Sequence, residues 1–522
     1  MHGQPPAGDD SADGDDDRCD HGCAEDAAHR SADPAGGDSA QNAADSADGD
    51  APAPATDGGE SPGARRTSSE PRSDGGVDSG VPGEVGSTAA ASAGAEGTDE
   101  FDPVEVFPES DEMDLRPGAD SCYKCSTCDT NCPVAEVDDE FPGPKFQGPE
   151  QWRLSRSDAP EVDPSIEKCS NCMRCDHACP TDVPLSQMHN TARGKYVDDQ
   201  LSPYSRTYIR KKLLSNYGRL GRIGAMVPRL TNVALSNRAL RWVGDKVLGI
   251  TNEREFPEFA DQTFRSWWEE RGGAQVESRR RRVAYFHGDY ANYNTPEVGK
   301  ALVKVFEDFG YEVAVPRQRC SGTPMFANGM LDDARRAAEV NVSEFASLIE
   351  EGYDVVCSCT SCSMALRQEY PELFDIEGID RVAANTYDAV EYLRINEDLS
   401  AALSKSDADV PDVAYHAPCH ARNQGLADQA LEVGASIDGV QVQDVGDSCS
   451  GISGTYGWKS KHYDTSMAIG EEMFEHMESA DADTGMTECP TCAMQMEHGT
   501  GYEVNHTLQL IAVALDLEGE AW

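Results

Sequence analysis

The chain has 522 residues, a formal charge of −50 and 18 cysteines. Acidity on this scale excludes general nucleic-acid binding, which needs a basic footprint. No apolar run approaches the roughly 18 residues of a membrane-spanning helix, and the first residues lack the basic and apolar regions of a secretory signal. The cysteines fall in tight groups, which favours metal or redox chemistry in a reducing compartment over a disulfide scaffold.

Residues 1–100 hold no Leu, Ile, Phe, Tyr or Trp, and residues 1–112 carry 28 acidic and 5 basic side chains, a net of −23. Such a stretch cannot bury enough apolar surface to offset ordering entropy, so 1–112 reads as a disordered acidic tail. The remaining −27 lies on the body of the chain, and acidity shared by tail and body points to a halophilic adaptation. Cys19, His21 and Cys23 form a CDHGC turn in the tail; without two further good ligands they read as incidental.

Residues 113–200 read as a mainly α, ferredoxin-like domain with two cysteine boxes. CYKCSTCDTNCP supplies Cys122, Cys125, Cys128 and Cys132, and CSNCMRCDHACP supplies Cys169, Cys172, Cys175 and Cys179. Each is the C-x2-C-x2-C-x3-C-P run that wraps a [4Fe–4S] cubane, and in two-cluster proteins the fourth cysteine of each run ligates the other cluster. The expected sets are Cys122, Cys125, Cys128 with Cys179, and Cys169, Cys172, Cys175 with Cys132. Zinc is the competing metal, since C-x2-C suits it too. Between the boxes EFPGPKFQGPEQW (140–152) reads as an irregular loop because of its Pro and Gly, and PLSQMHNTARGKYVDD (184–199) has helical spacing.

Residues 201–280 read as a basic, amphipathic helical connector. Residues 203–255 carry eleven Lys or Arg against three acidic residues. Ile209, Leu213, Leu220 and Ile223 recur at near-helical spacing among basic residues, as on a surface for anionic lipid; the alternative is a helix pair docked on the ferredoxin module or on an acidic partner. Reversing Arg210, Lys211 and Lys212 is the change expected to release such a surface. RRRR (279–282) reads as a solvated linker.

The rest is an internal repeat, 281–400 and 410–522, offset by about 130 residues. VAYFHGDYANYN from Val283 aligns with VAYHAPCHARNQ from Val413, which sets Asp289 on Cys419. Cys320 then falls on Cys449, and Cys359 and Cys362 on Cys489 and Cys492. The intervals are 31, 39 and 3 residues in the first copy and 30, 40 and 3 in the second. Each copy reads strand, loop, helix, strand, CSG loop, helix, strand, CxxC loop, which implies two parallel α/β units with ligands at the strand ends. Cys419, Cys449, Cys489 and Cys492 make one four-thiolate set for a further iron–sulfur cluster. Cys320, Cys359 and Cys362 with Asp289, or with Cys357 as substitute, form the second candidate set; the alternative is a first copy that keeps only the fold. No Walker loop and no strand-linked GxGxxG is present, so no nucleotide or flavin site is expected.

Two ferredoxin boxes followed by two cysteine-rich repeats resemble the heterodisulfide reductase D-like iron–sulfur family. Within it, FPGPKFQGP, FHGDYANYN, ANGMLDDARRAA, LRQEYPE, GISGTYGWK and TSMAIG resemble the group formed by the C-type subunits of anaerobic glycerol-3-phosphate dehydrogenase. The resemblance implies an electron-transfer subunit, peripheral on the inner face of the cell membrane. It would take electrons from A- and B-type flavoprotein subunits oxidising sn-glycerol 3-phosphate to dihydroxyacetone phosphate, and pass them to a membrane quinone. No catalytic residue is assigned; the isolated chain is a carrier, an enzyme only as part of its complex. Competing readings are the iron–sulfur subunit of a glycolate, lactate or heterodisulfide system, and a zinc-stabilised assembly protein. Relatives carry Cys-Cys-Gly (CCG) where this chain has Cys320-Ser321-Gly322 and Cys449-Ser450-Gly451, which favours a cubane over a five-thiolate cluster. Met113 stands where such a chain would begin, so the tail reads either as an extension or as a misplaced start. His287, His416 and His420 border the ligand loops, as candidates for quinone protonation or for packing against cluster sulfur.

Overall fold

The computed structural model describes residues 118–151, 161–406, 410–446, 448–517 and 519. The expectations for residues 1–112 and for Cys19, His21 and Cys23 lie outside the described residues.

The two boxes adopt the same local course. Lys124 and Ser126 in the first, and Asn171 and Met173 in the second, have φ between 60° and 65°. A non-glycine residue pays about 1–2 kcal/mol for this left-handed conformation. It is adopted on either side of Cys125 and again on either side of Cys172, equivalent positions of the two boxes. A short helix follows each time, Thr127–Thr130 and Arg174–Ala178. Helix α1, Leu185–Lys195, then lays Leu185, Met188 and Ala192 into the module's interior. The stretch between the boxes is not wholly irregular. Phe146–Glu150 forms a wide helical turn that admits Pro149 and seats Gly148 against Leu185. Packing on α1 there outweighs the Pro and Gly signal.

The connector opens with four short helices, α2 Arg206–Ser215, α3 Tyr217–Gly224, α4 Pro228–Ser236 and α5 Arg238–Leu248, and a further short helix, Phe264–Glu270, precedes the first strand. The near-helical spacing of Ile209, Leu213, Leu220 and Ile223 is spread over two helices, with a break at Asn216, where φ is −104° and ψ 41°. Side-chain caps fix the starts of two helices: Ser205 accepts from the amide of Tyr208, and Asn237 from those of Ala239 and Leu240.

The repeats are two parallel four-stranded sheets. In the first, β1 Arg282–Phe286, β2 Glu312–Ala314, β3 Asp354–Cys357 and β4 Thr386–Asp388 take the order β2-β1-β3-β4. The second repeats it as β6-β5-β7-β8, with β5 Val413–Tyr415, β6 Val442–Asp444, β7 Thr484–Met486 and β8 Val504–Asn505. The fourth strands, β4 and β8, follow the CxxC loops and go beyond the pattern read from the sequence. Arg282 belongs to β1, and Arg281 pairs with Glu397 at 2.5 Å, so half of the RRRR run is structural rather than linker. Helices α6 Pro296–Asp308 and α7 Leu331–Glu350 flank the first sheet. The second carries α8 Cys419–Asn423, α9 Tyr463–Ser479, α10 Pro490–Thr500 and α11 Thr507–Ala514. One hydrophobic core serves both copies: Leu302 and Phe306 of α6 and Leu508 and Ile511 of α11 belong to the same buried cluster. The ligand loops of each copy follow its first three strands, the end where parallel sheets place their sites.

Candidate metal centres

Among the described residues no three His, Cys, Asp or Glu side chains close to single-ion distances. Instead the cysteines surround hollows. Cys122, Cys125, Cys128 and Cys179 line one small pocket beneath Pro180 and Leu185. Cys132, Cys169, Cys172 and Cys175 form the second group, close enough to perturb one another's ionisation. The crossed sets expected from the sequence are thus the groups that come together.

Backbone amides point at these sulfurs in a repeated pattern. The amide of Thr127 donates to Cys125 and that of Arg174 to Cys172, at equivalent positions of the two boxes. Val183 donates to Cys179 at 3.4 Å. Amide donors favour the thiolate form and so suit a metal-bound sulfur. Burial pushes the free thiols the other way, Cys128 to about 12 and Cys132 to about 11. Cys169 differs: burial raises it, but the Arg193 guanidinium and a hydrogen bond with His189 bring it down to about 6. His189 Nδ1 lies 3.8 Å from Cys169 Sγ, and its Nε2 bonds the Pro144 carbonyl at 3.0 Å.

The second box abuts the second repeat. Asn423 donates to the carbonyl of Cys172 at 3.3 Å, and Cys132, Cys169, Cys419 and Cys449 share one buried cluster. Cys419 and Cys449 are 3.8 Å apart, and Gly451 donates its amide to Cys449 Sγ at 3.4 Å. Hydrogen bonding from Cys449 brings Cys419 down to about 6. Ser450 lies 3.2 Å from Cys492 Sγ. Cys489 receives hydrogen bonds from Cys359 and Cys492, which hold its thiol well below the usual range, so the two repeats touch through Cys359 and Cys489. In the first copy Asp289 stands hydrogen-bonded to Cys320, with Cys362 near the α-carbon of Gly288. Burial raises the Asp289 carboxyl to about 6. Cys357 ends β3 with its side chain in the hydrophobic interior.

A cavity of about 1030 Å³ joins these groups. Its lining includes Cys320, Cys359, Cys362, Cys419, Cys489 and Cys492, and on the connector side Leu213, Tyr217, Leu220, Ile223, Leu235 and Leu240, of which Leu220, Ile223 and Leu240 are exposed. Sequence reasoning missed what brings the connector so close. Gly218, Gly221 and Gly224 form one face of α3, and a Cβ there would lie 2.5 Å from Asp289, 2.7 Å from Tyr293 and 2.8 Å from Phe259. The three-residue glycine spacing in YGRLGRIG was the available signal.

The basic residues thought to face lipid are placed otherwise. Arg210 and Lys211 are buried, with Lys211 Nζ 3.0 Å from Glu167, and Lys212 pairs with Asp333. They hold α2 onto the ferredoxin module and the first repeat, because a buried carboxylate demands a cation. Arg219, Arg222, Arg229, Arg238 and Lys246 remain exposed. Burial holds His287 and His416 down to about 3; of the three histidines, His287 and His420 reach the cavity and His416 does not.

Residues 118–183 match the 4Fe-4S dicluster domain family, and residues 283–367 and 413–497 each match the cysteine-rich domain family. The chain is 35% identical over 398 residues to the C-type subunit of anaerobic glycerol-3-phosphate dehydrogenase from Escherichia coli, covering 76% of this chain and 98% of that protein. The chain belongs to the family of anaerobic glycerol-3-phosphate dehydrogenase C-type subunits. More distant likenesses cover less of the chain. Lactate utilization protein A 2 of Bacillus cereus is 26% identical over 42% of this chain and 90% of its own length. The B-type subunit of the CoM/CoB fumarate reductase of Methanothermobacter marburgensis is 30% identical over 41% of this chain and 42% of its own.

As a member of this family the protein is an iron–sulfur electron-transfer subunit of an oxidoreductase complex, with [4Fe–4S] clusters in its dicluster and cysteine-rich domains. The residues fit that cofactor: grouped thiols round hollows, amide donors on sulfur and left-handed turns at matching places in both boxes. Bound clusters would supply one-electron transfer. The chain's own part is to space and insulate the groups and to set their potentials through charges such as the buried Arg193.

Proposed function

We propose that the chain carries electrons from flavoprotein subunits oxidising sn-glycerol 3-phosphate to a membrane quinone. The observation that carries this reading is the likeness to the Escherichia coli protein over almost that protein's whole length. The ligand sets we assign are Cys122, Cys125, Cys128, Cys179; Cys169, Cys172, Cys175, Cys132; and Cys419, Cys449, Cys489, Cys492. Cys320, Cys359 and Cys362 would hold a fourth group only with an oxygen ligand from Asp289. The domains we assign are 113–200, 201–280, 281–400 and 410–522. Electrons enter at the first box, where Cys125 is exposed, pass the second box and leave through the repeats.

Attachment to the inner face of the membrane is supported by the connector. Among the described residues no helix is long and apolar enough to cross a bilayer. Yet Met226, Val227, Leu230, Val233, Trp242 and Val247 are all more than half exposed, interspersed with exposed arginines. Apolar side chains rimmed by cations are what an interfacial helix presents to anionic lipid.

The test uses the complex purified anaerobically from membranes in high salt. Glycerol 3-phosphate should bleach the cluster absorbance as fully as dithionite does. Bleaching by lactate instead, with none by glycerol 3-phosphate, would transfer the assignment to the system of the Bacillus relative.

A further inference from the structure

The cavity and the exposed apolar surface share residues. Leu220, Ile223 and Leu240 line the cavity and are 40%, 66% and 56% exposed on the outer face of the connector. The cavity therefore opens within the apolar patch. The same lining includes the less exposed Leu213, Leu235 and Phe259, and also Asp289, Thr487 and the repeat cysteines. Thr487 is buried, and its Oγ1 has no hydrogen-bond partner among the described residues. An apolar passage leading from a lipid-facing mouth to a polar, redox-active end fits an amphiphile with a long apolar tail and a small polar headgroup. It does not fit a hydrophilic acceptor, which would cross the apolar passage at a desolvation cost.

We propose that this passage is the binding channel of a tailed, lipid-soluble quinone. Its ring sits next to Thr487, beside and not within the space that a cluster on the repeat cysteines would fill, and its isoprenoid tail leaves between α3 and α5 at Ile223 and Leu240. Two electrons, passed singly from the repeat-domain thiolate sites, and two protons from solvent convert one quinone to one quinol, and the donor centres are reoxidised. The proposal rests on the reading that a quinone is the acceptor, and deepens it by naming the route.

The test uses the full complex in vesicles containing a long-tailed menaquinone, compared with a tail-less naphthoquinone in solution. Ile223→Trp and Leu240→Trp narrow the mouth at exposed positions that can accept a larger ring. Leu230→Trp alters the same apolar patch outside the cavity lining and serves as control. The complex is reduced with glycerol 3-phosphate or, independently of any donor, with dithionite, and reoxidation of the cluster absorbance is followed. We expect Ile223→Trp and Leu240→Trp to slow reoxidation by the long-tailed quinone about tenfold or more. Reoxidation by the tail-less quinone should change little, and Leu230→Trp should behave as wild type. Unchanged reoxidation by the long-tailed quinone in both mouth variants overturns the channel. So does an equal slowing in Leu230→Trp accompanied by release from vesicles, since the effect would then be attachment. Wild-type complex that bleaches with substrate yet is reoxidised by neither quinone removes the quinone reading itself.

Discussion

Glu369 lies fully buried beneath the second box, 3.5 Å from the Asn171 side chain, with its other oxygen unpartnered among the described residues. Burial, aided by Glu372, raises its carboxyl to about 8. The folded state therefore holds a proton that the unfolded chain releases near pH 4.5. Stability from this group is full below pH 4.5 and falls as pH rises towards 8, by about 5 kcal/mol. Glu369→Gln should raise the thermal midpoint at pH 8 and leave it nearly unchanged at pH 4.5, measured by differential scanning fluorimetry in high salt. An equal effect at both values would mean that the carboxyl does not titrate in this range. Glu167 is the opposite case. Although burial opposes it, Lys211 and Lys461 hold its carboxyl well below the usual range, so its contribution is lost only on acidification.

Helix α3 shows how backbone approach is traded against helix propensity. Alanine is about 1 kcal/mol better than glycine in a helix interior. At Gly221, however, a methyl group would stand 2.7 Å from the Tyr293 ring, and something must move. Gly221→Ala should therefore destabilise the protein, by about 1–3 kcal/mol. At Gly244 in α5 a methyl group meets nothing within 4 Å. Gly244→Ala should stabilise by about 0.5–1 kcal/mol. Opposite shifts in thermal midpoint would confirm that α3 is fixed by contact and α5 by propensity; stabilisation by both would mean that α3 packs more loosely than its glycines imply.

Over the whole molecule the cysteine groups form a series: first box, second box, second repeat, first repeat. The second repeat is the junction, because Cys419 adjoins Cys172 on one side and Cys489 meets Cys359 on the other. Cys419→Ala should lower iron by about four atoms per chain. Reduction of the dicluster domain by substrate should persist, while reoxidation by quinone is lost. Iron analysis, absorbance and quinol formation on one preparation check all three. Unimpaired quinol formation would move the exit to the ferredoxin module.

The two boxes and the repeat were legible because their signals are local: C-x2-C-x2-C-x3-C-P confines four thiols within one short turn of chain, and matching intervals of about 31, 39 and 3 residues betray duplication wherever the strands lie. The alternation of helix and strand was legible for the same reason, and the fourth strands, β4 and β8, which no ligand loop follows, were not. What only the tertiary structure decided depends on which surfaces meet. Lys211 reads as a surface cation until a distant carboxylate, Glu167, is buried against it. The glycines of α3 acquire meaning only from the aromatic rings they admit, and the cavity exists only because connector and repeats close on each other. Chain spacing sets which groups can bind a cluster; long-range packing sets which groups lie next to one another, and therefore the path an electron can take.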